Sequence, residues 1–147
     1  MDRKKQRIFD NLNRAIIKFR GTYSEWSSRN HISYHEMLVL YTIREFGFCT
    51  QKQICSNYLL PKQTIHNVIT SLRKSGILEY DETRRTGREK ALVLSGKGQK
   101  YAAPFLKSLD IIESRALELL GKDKLLTLIN LLLEYDRTLN QALEESR

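Results

Sequence analysis

The chain has 147 residues, 41% of them hydrophobic and 29% charged, the composition of one soluble globular domain able to bury a core without staples. No apolar run approaches the roughly 18 residues of a membrane span, and no apolar signal core follows the basic start MDRKKQRIFDN. Two cysteines, Cys49 and Cys55, are too few for a disulfide framework, so a reducing, cytoplasmic setting is expected. The net charge is +8, which suggests a polyanionic partner. It is unevenly spread: net +5 over residues 1–60, +5 over 61–100 and −2 over 101–147. The two ends of the chain are therefore expected to do different work.

The first element expected is a long helix over about residues 5–28. Ile8, Leu12, Ile16, Phe19, Tyr23 and Trp26 recur at steps of three and four and form one stripe. Ser33 and Glu36 have the spacing of a capping box and open a second helix, which runs to about Glu45 and stops at Gly47. Thr50 and Gln53 repeat that signal ahead of a short helix to about Asn57. Pro61 suits the first turn of the next helix, which ends at Gly76. Ile77–Tyr80 and Lys90–Leu94 read as short strands around a charged turn, a β-hairpin with a basic tip. The remainder reads as two helices parted by Gly121. Tyr101, Phe105, Leu109, Ile112 and Ala116 stripe the first, which Pro104 is expected to kink. Leu125, Leu128, Leu132, Tyr135, Leu139 and Leu143 stripe the second.

Two helices joined by a tight turn and followed by a basic hairpin make a winged helix-turn-helix. At about 100° per residue, Ile65, Val68, Ile69 and Leu72 share one side of the second helix. Gln63, Asn67, Thr70 and Lys74 share the other, with Thr64 and His66 on its flanks and Lys62 at its start. Amide, hydroxyl and imidazole groups read base edges in a major groove, and no acid interrupts this face. The alternative is an ordinary solvated face; the hairpin and the missing acids weigh against it. Arg84, Arg85, Arg88 and Lys90 give the hairpin the charge to enter a narrow minor groove. An ordinary charged turn is the alternative there.

The stretch from Thr50 to Gly98 resembles the multiple-antibiotic-resistance regulator (MarR) family of bacterial winged-helix proteins. The resemblance rests on Thr50 with Gln53-Ile54-Cys55, on Thr64-Ile65, on Leu72 ahead of Ser75-Gly76-Ile77-Leu78, and on Leu94-Ser95 with Gly98. One long helix before and two after extend it over nearly the whole chain. It implies a mainly α fold with a small β-hairpin wing. It also implies an N-terminal dimerisation helix over 1–32, a winged domain over 33–98 and C-terminal dimerisation helices over 99–147. A homodimer on a pseudo-palindromic operator would follow, with Gln63, Thr64, His66 and Asn67 in the major groove and Arg88 in the minor groove. The family's Asp-Arg-Arg run at the wing is replaced by Thr86-Gly87-Arg88, so one arginine and a steadying aspartate are missing.

The apolar stripes of three long helices exceed what a winged module of about 45 residues can cover, which also argues for a two-fold partner. A monomeric bundle is the alternative. Cys55 is expected to be a small buried packing residue. Cys49 precedes the Thr50 cap, where a helix N-terminus could lower its pKa, so thiol-based sensing, or an enzyme using Cys49 with a histidine, is an alternative. His31, His35 and His66 show no metal-ligand spacing, and neither a cofactor nor a catalytic constellation is expected. Tyr23, Trp26, Tyr41 and Tyr101 would suit either a pocket for a small aromatic effector, as the family implies, or plain core packing. Double-stranded DNA, a second copy of the chain and such an effector are the partners expected. A protein–protein adaptor that never touches DNA is the rival reading.

Overall fold

The computed structural model describes residues 2–84 and 87–146. Six helices and one hairpin follow in chain order: α1 (Arg3–Arg29), α2 (Tyr34–Phe46), α3 (Gln51–Tyr58), α4 (Lys62–Lys74), β1 (Leu78–Tyr80), β2 (Leu92–Leu94), α5 (Gly96–Leu120) and α6 (Lys122–Glu145). The fold is mainly α with a two-stranded wing, as the sequence predicts. Two compact units divide it, one reaching to Leu106 and one beginning at Lys107.

Local chemistry sets the helix ends of the first unit. Asp2 caps α1 by accepting from the backbone N–H of Lys4 and Lys5 at 2.7 and 2.9 Å. Ser33 Oγ accepts from Glu36 N at 3.0 Å. The reciprocal half of that capping box is replaced: Glu36 Oε1 accepts instead from the Tyr101 hydroxyl at 2.6 Å. Burial, and then the neighbouring carboxylate, push the Tyr101 phenol up to about 12. Gly47 ends α2 in the left-handed region, at φ 76°.

The core of this unit gathers Trp26 and Ile32, the face of α2 from Met37 to Ile43, Ile54, the apolar side of α4, and Ile77, Leu78, Ala91 and Leu92 of the hairpin. Thr42 is fully buried and donates to Leu38 O at 2.8 Å, with the Tyr58 hydroxyl 3.1 Å away. Strand register is antiparallel, with Leu78 opposite Leu94, Glu79 opposite Val93 and Tyr80 opposite Leu92. On its other edge Leu92 exchanges two peptide hydrogen bonds with Cys49, at 2.8 and 2.9 Å. The hairpin is thereby tied to the residue just before α3.

α5 begins at Gly96. Gly98 is there because nothing larger fits: a Cβ at this position would lie 2.0 Å from the Ile77 carbonyl oxygen and 3.2 Å from Leu94 Cδ2. The helix runs through Pro104, although proline removes one backbone donor from its ladder. In the second unit, α6 contains no buried residue. From Ile111 to Leu143, thirteen large apolar side chains of α5 and α6 are exposed. No helix of the described residues is long and apolar enough to cross a membrane.

Candidate nucleic-acid interface

The start of α3 is fixed by a complete capping box. Thr50 Oγ1 accepts from Gln53 N at 3.0 Å, and Gln53 Oε1 accepts from Thr50 N at 3.3 Å. The helix ends at Leu59, which takes the left-handed conformation at φ 52°. Leu59 to Pro61 form the tight turn. Pro61 occupies the N-cap of α4 rather than its first turn, and its carbonyl accepts from Ile65 N at 3.3 Å. Gln51 Nε2 donates to Lys62 O at 3.2 Å and ties the openings of the two helices together.

α4 splits by burial much as its angular pattern predicts. Ile65, Ile69 and Leu72 are buried and Val68 is half-buried. Lys62, Gln63, His66, Asn67 and Lys74 are exposed, while Thr64 and Thr70 are half-buried at the edges of that face. Gln63 Nε2 donates to Asn67 Oδ1 at 2.8 Å, so the two central amides are held in a fixed relation one helical turn apart. No acidic residue lies between Lys62 and Lys74.

The hairpin arginines are not equivalent. Arg84 is drawn back to the wing root, where its Nε donates to Asp81 Oδ2 at 3.2 Å and its guanidinium lies 4.4 Å from the centre of the Phe48 ring. A carboxylate three residues earlier and an aromatic face thus engage this wing cation, which stays exposed. Thr83 donates to Asp81 Oδ1 through its N–H and its hydroxyl, at 3.0 and 2.6 Å. The Thr83 hydroxyl, with the Thr83 N–H and Arg84, holds the Asp81 carboxyl below its ordinary value. Asp81 thus holds Thr83 and Arg84 at the start of the turn. Arg85 lies outside the described residues. Arg88 is exposed, and with Lys52 and Glu89 it borders a hollow of about 660 Å³ beside α3.

The sequence pattern does not bring Arg73 and Tyr80 together with Lys90; the structure does. Arg73 Nη1 donates to the Tyr80 hydroxyl at 3.0 Å, and its guanidinium carbon sits 3.8 Å from the Tyr80 ring centre. Lys90 Nζ lies 4.8 Å from the same centre. Register decides which residues surround Tyr80, and register is a tertiary property.

The alternative of a lowered pKa at Cys49 finds no support. Its thiol is fully buried, and burial pushes it up to about 12, away from the thiolate that sensing or nucleophilic chemistry requires. Cys55 is half-buried rather than buried, and its pKa is also raised, chiefly by burial. Among the described residues no group of three His, Cys, Asp or Glu side chains is placed to hold a metal ion. Of the four aromatics weighed for an effector pocket, Trp26 is buried; Tyr23, Tyr41 and Tyr101 are half-buried. Tyr101 is engaged by Glu36, and the Arg44 guanidinium lies 4.6 Å from the Tyr41 ring centre.

No protein-family model matches the chain, and no curated protein matches its sequence. Solved structures do. NMB1585, a MarR family regulator from Neisseria meningitidis, is 27% identical, with a TM-score of 0.84 over 94% of this chain and 97% of that one. NadR in complex with 4-hydroxyphenylacetate is 20% identical, with a TM-score of 0.70 over 87% and 91%. BpsR from Bordetella bronchiseptica, whose DNA binding is regulated by 6-hydroxynicotinic acid, is 14% identical, with a TM-score of 0.66 over 86% and 98%. Its helix order and its wing give this chain a winged helix-turn-helix fold, which it shares over nearly its whole length with NMB1585, a MarR family regulator.

Proposed function

We propose that the protein is a cytoplasmic transcription regulator that binds double-stranded DNA as a homodimer, acting as a repressor. The observation that carries this reading is the exposed, acid-free face of α4 set beside a hairpin bearing Arg88 and Lys90. An α-helix fits the major groove of B-DNA, and exposed amides at Gln63 and Asn67 suit adenine edges. The hairpin cations suit the narrow minor groove beside it. Phosphate neutralisation supplies most of the affinity. The MarR-type fold supports the regulatory class, and it is a non-catalytic one.

A second copy of the chain accounts for the apolar helices. Ile8, Ile17 and Phe19 of α1, and the thirteen exposed apolar side chains of α5 and α6, lie against solvent in a single chain. That is far more than a monomer's scattered surface apolar residues. A two-fold partner covers such surface and places two readers on half-sites about 34–36 Å apart. A small aromatic acid is the proposed effector, by analogy with NadR and BpsR.

Selection of bound duplexes from a random pool tests the reading. A pseudo-palindrome with half-sites one helical turn apart is the expected product. Failure to retain any duplex at low ionic strength would leave the adaptor reading in its place.

A further inference from the structure

Arg73, Lys90 and Tyr80 form a cluster whose composition points to a ligand. Arg73 comes from the last turn of α4, Tyr80 ends β1 and Lys90 lies two residues ahead of β2. Both cations are exposed, and both lie over one phenol ring, at 3.8 and 4.8 Å from its centre. Like charges gathered on one ring repel each other, and no carboxylate among the described residues is ion-paired with either. The Tyr80 hydroxyl engages one guanidinium nitrogen of Arg73, which leaves donors of the fork unspent. A tetrahedral anion would offset the repulsion and use those donors.

Its position says which anion. Arg73 follows His66 by seven residues, about two helical turns, so it continues one edge of the α4 reading face toward the hairpin. We propose that Tyr80 holds Arg73 and Lys90 as a two-cation clamp for one backbone phosphate of the DNA strand that passes between α4 and the hairpin. The clamp rests on the DNA-binding reading above and adds to it a site that carries affinity without sequence preference.

The test is fluorescence anisotropy of the full chain on a labelled duplex across a series of KCl concentrations. Arg73→Gln and Lys90→Gln should each flatten the slope of log affinity against log salt, the two together by about 0.9 per bound protomer, and weaken all duplexes alike. Lys124→Gln, on α6, should leave the slope unchanged and so control for net charge. Tyr80→Leu keeps both charges and removes the surface that orders them. It should lower affinity while its slope stays nearer wild type than in either charge variant. Thermal melts check that each variant is folded, and Lys90→Gln tests the clamp from the hairpin side should Arg73→Gln unfold. A wild-type slope in folded Arg73→Gln and Lys90→Gln proteins overturns the clamp; wild-type affinity in Tyr80→Leu removes the tyrosine from it. If the wild type itself shows no salt-dependent duplex binding, the DNA-binding reading fails instead.

Discussion

Cys49 and Asn67 lie eighteen positions apart and answer to opposite forces, one to burial and the other to solvent. The Cys49 thiol keeps its proton up to about pH 12 when folded, whereas the ordinary thiol value is 9.0. Between those values the unfolded chain loses the proton first. The stability that Cys49 contributes is thus fully present below about pH 9 and is lost as pH rises toward 12. Urea unfolding should show wild type more stable than Cys49→Ala at pH 8, with the gap narrowing by about 1.4 kcal/mol at pH 10. A gap that does not change with pH would place the thiol in solvent. For Asn67, truncation to Ala should cost about 1–3 kcal/mol at its preferred base and relax preference there, read by binding to a panel of single-base variants. Uniform weakening across the panel would instead make it a phosphate contact. The exposed polar face of α4 was legible because Gln63, Asn67 and Lys74 follow a helical period. The depth of Cys49 was not, because a residue beside a cap reads as surface until the Leu92 strand is seen to cover it.

Elements follow the sequence where their signals are local. The Thr50–Gln53 box, the glycine after α2 and the apolar period of α4 each specify a boundary or a face within a few residues. Signals that depend on distant partners mislead. Glu36 looks like half of a capping box, yet a tyrosine sixty-five residues later claims its carboxylate. Arg84 looks like a free cation, yet Asp81 and Phe48 engage it. Gly98 is the sharpest constraint at this scale, since α5 starts in contact with the Ile77 backbone. Gly98→Ala should destabilise by about 3 kcal/mol, on the order of 10 °C in Tm, because a backbone carbonyl has little room to yield. A melt at the wild-type temperature would show that this joint is looser than its geometry implies.

The whole molecule carries its charge and its grease on different elements. The net positive charge lies before residue 101, whereas α6 exposes most of its leucines. Light scattering should give a mass twice that of the chain, and Leu132→Glu should return it to one chain with a large loss of affinity for a two-half-site duplex. A Leu132→Glu protein that stayed double in mass would move the interface elsewhere. The excess of long apolar stripes over what a small domain covers was visible from the sequence alone; the cation cluster on Tyr80 needed the register of β1 against β2. Two backbone hydrogen bonds join Cys49 to Leu92. They make the hairpin and the opening turn of α3 a single mechanical piece, so a tug on the loop is felt at the root of the neighbouring helix. Deuterium should therefore enter the amides of Cys49 and Leu92 at matched rates, and slow at both together once a duplex is gripped.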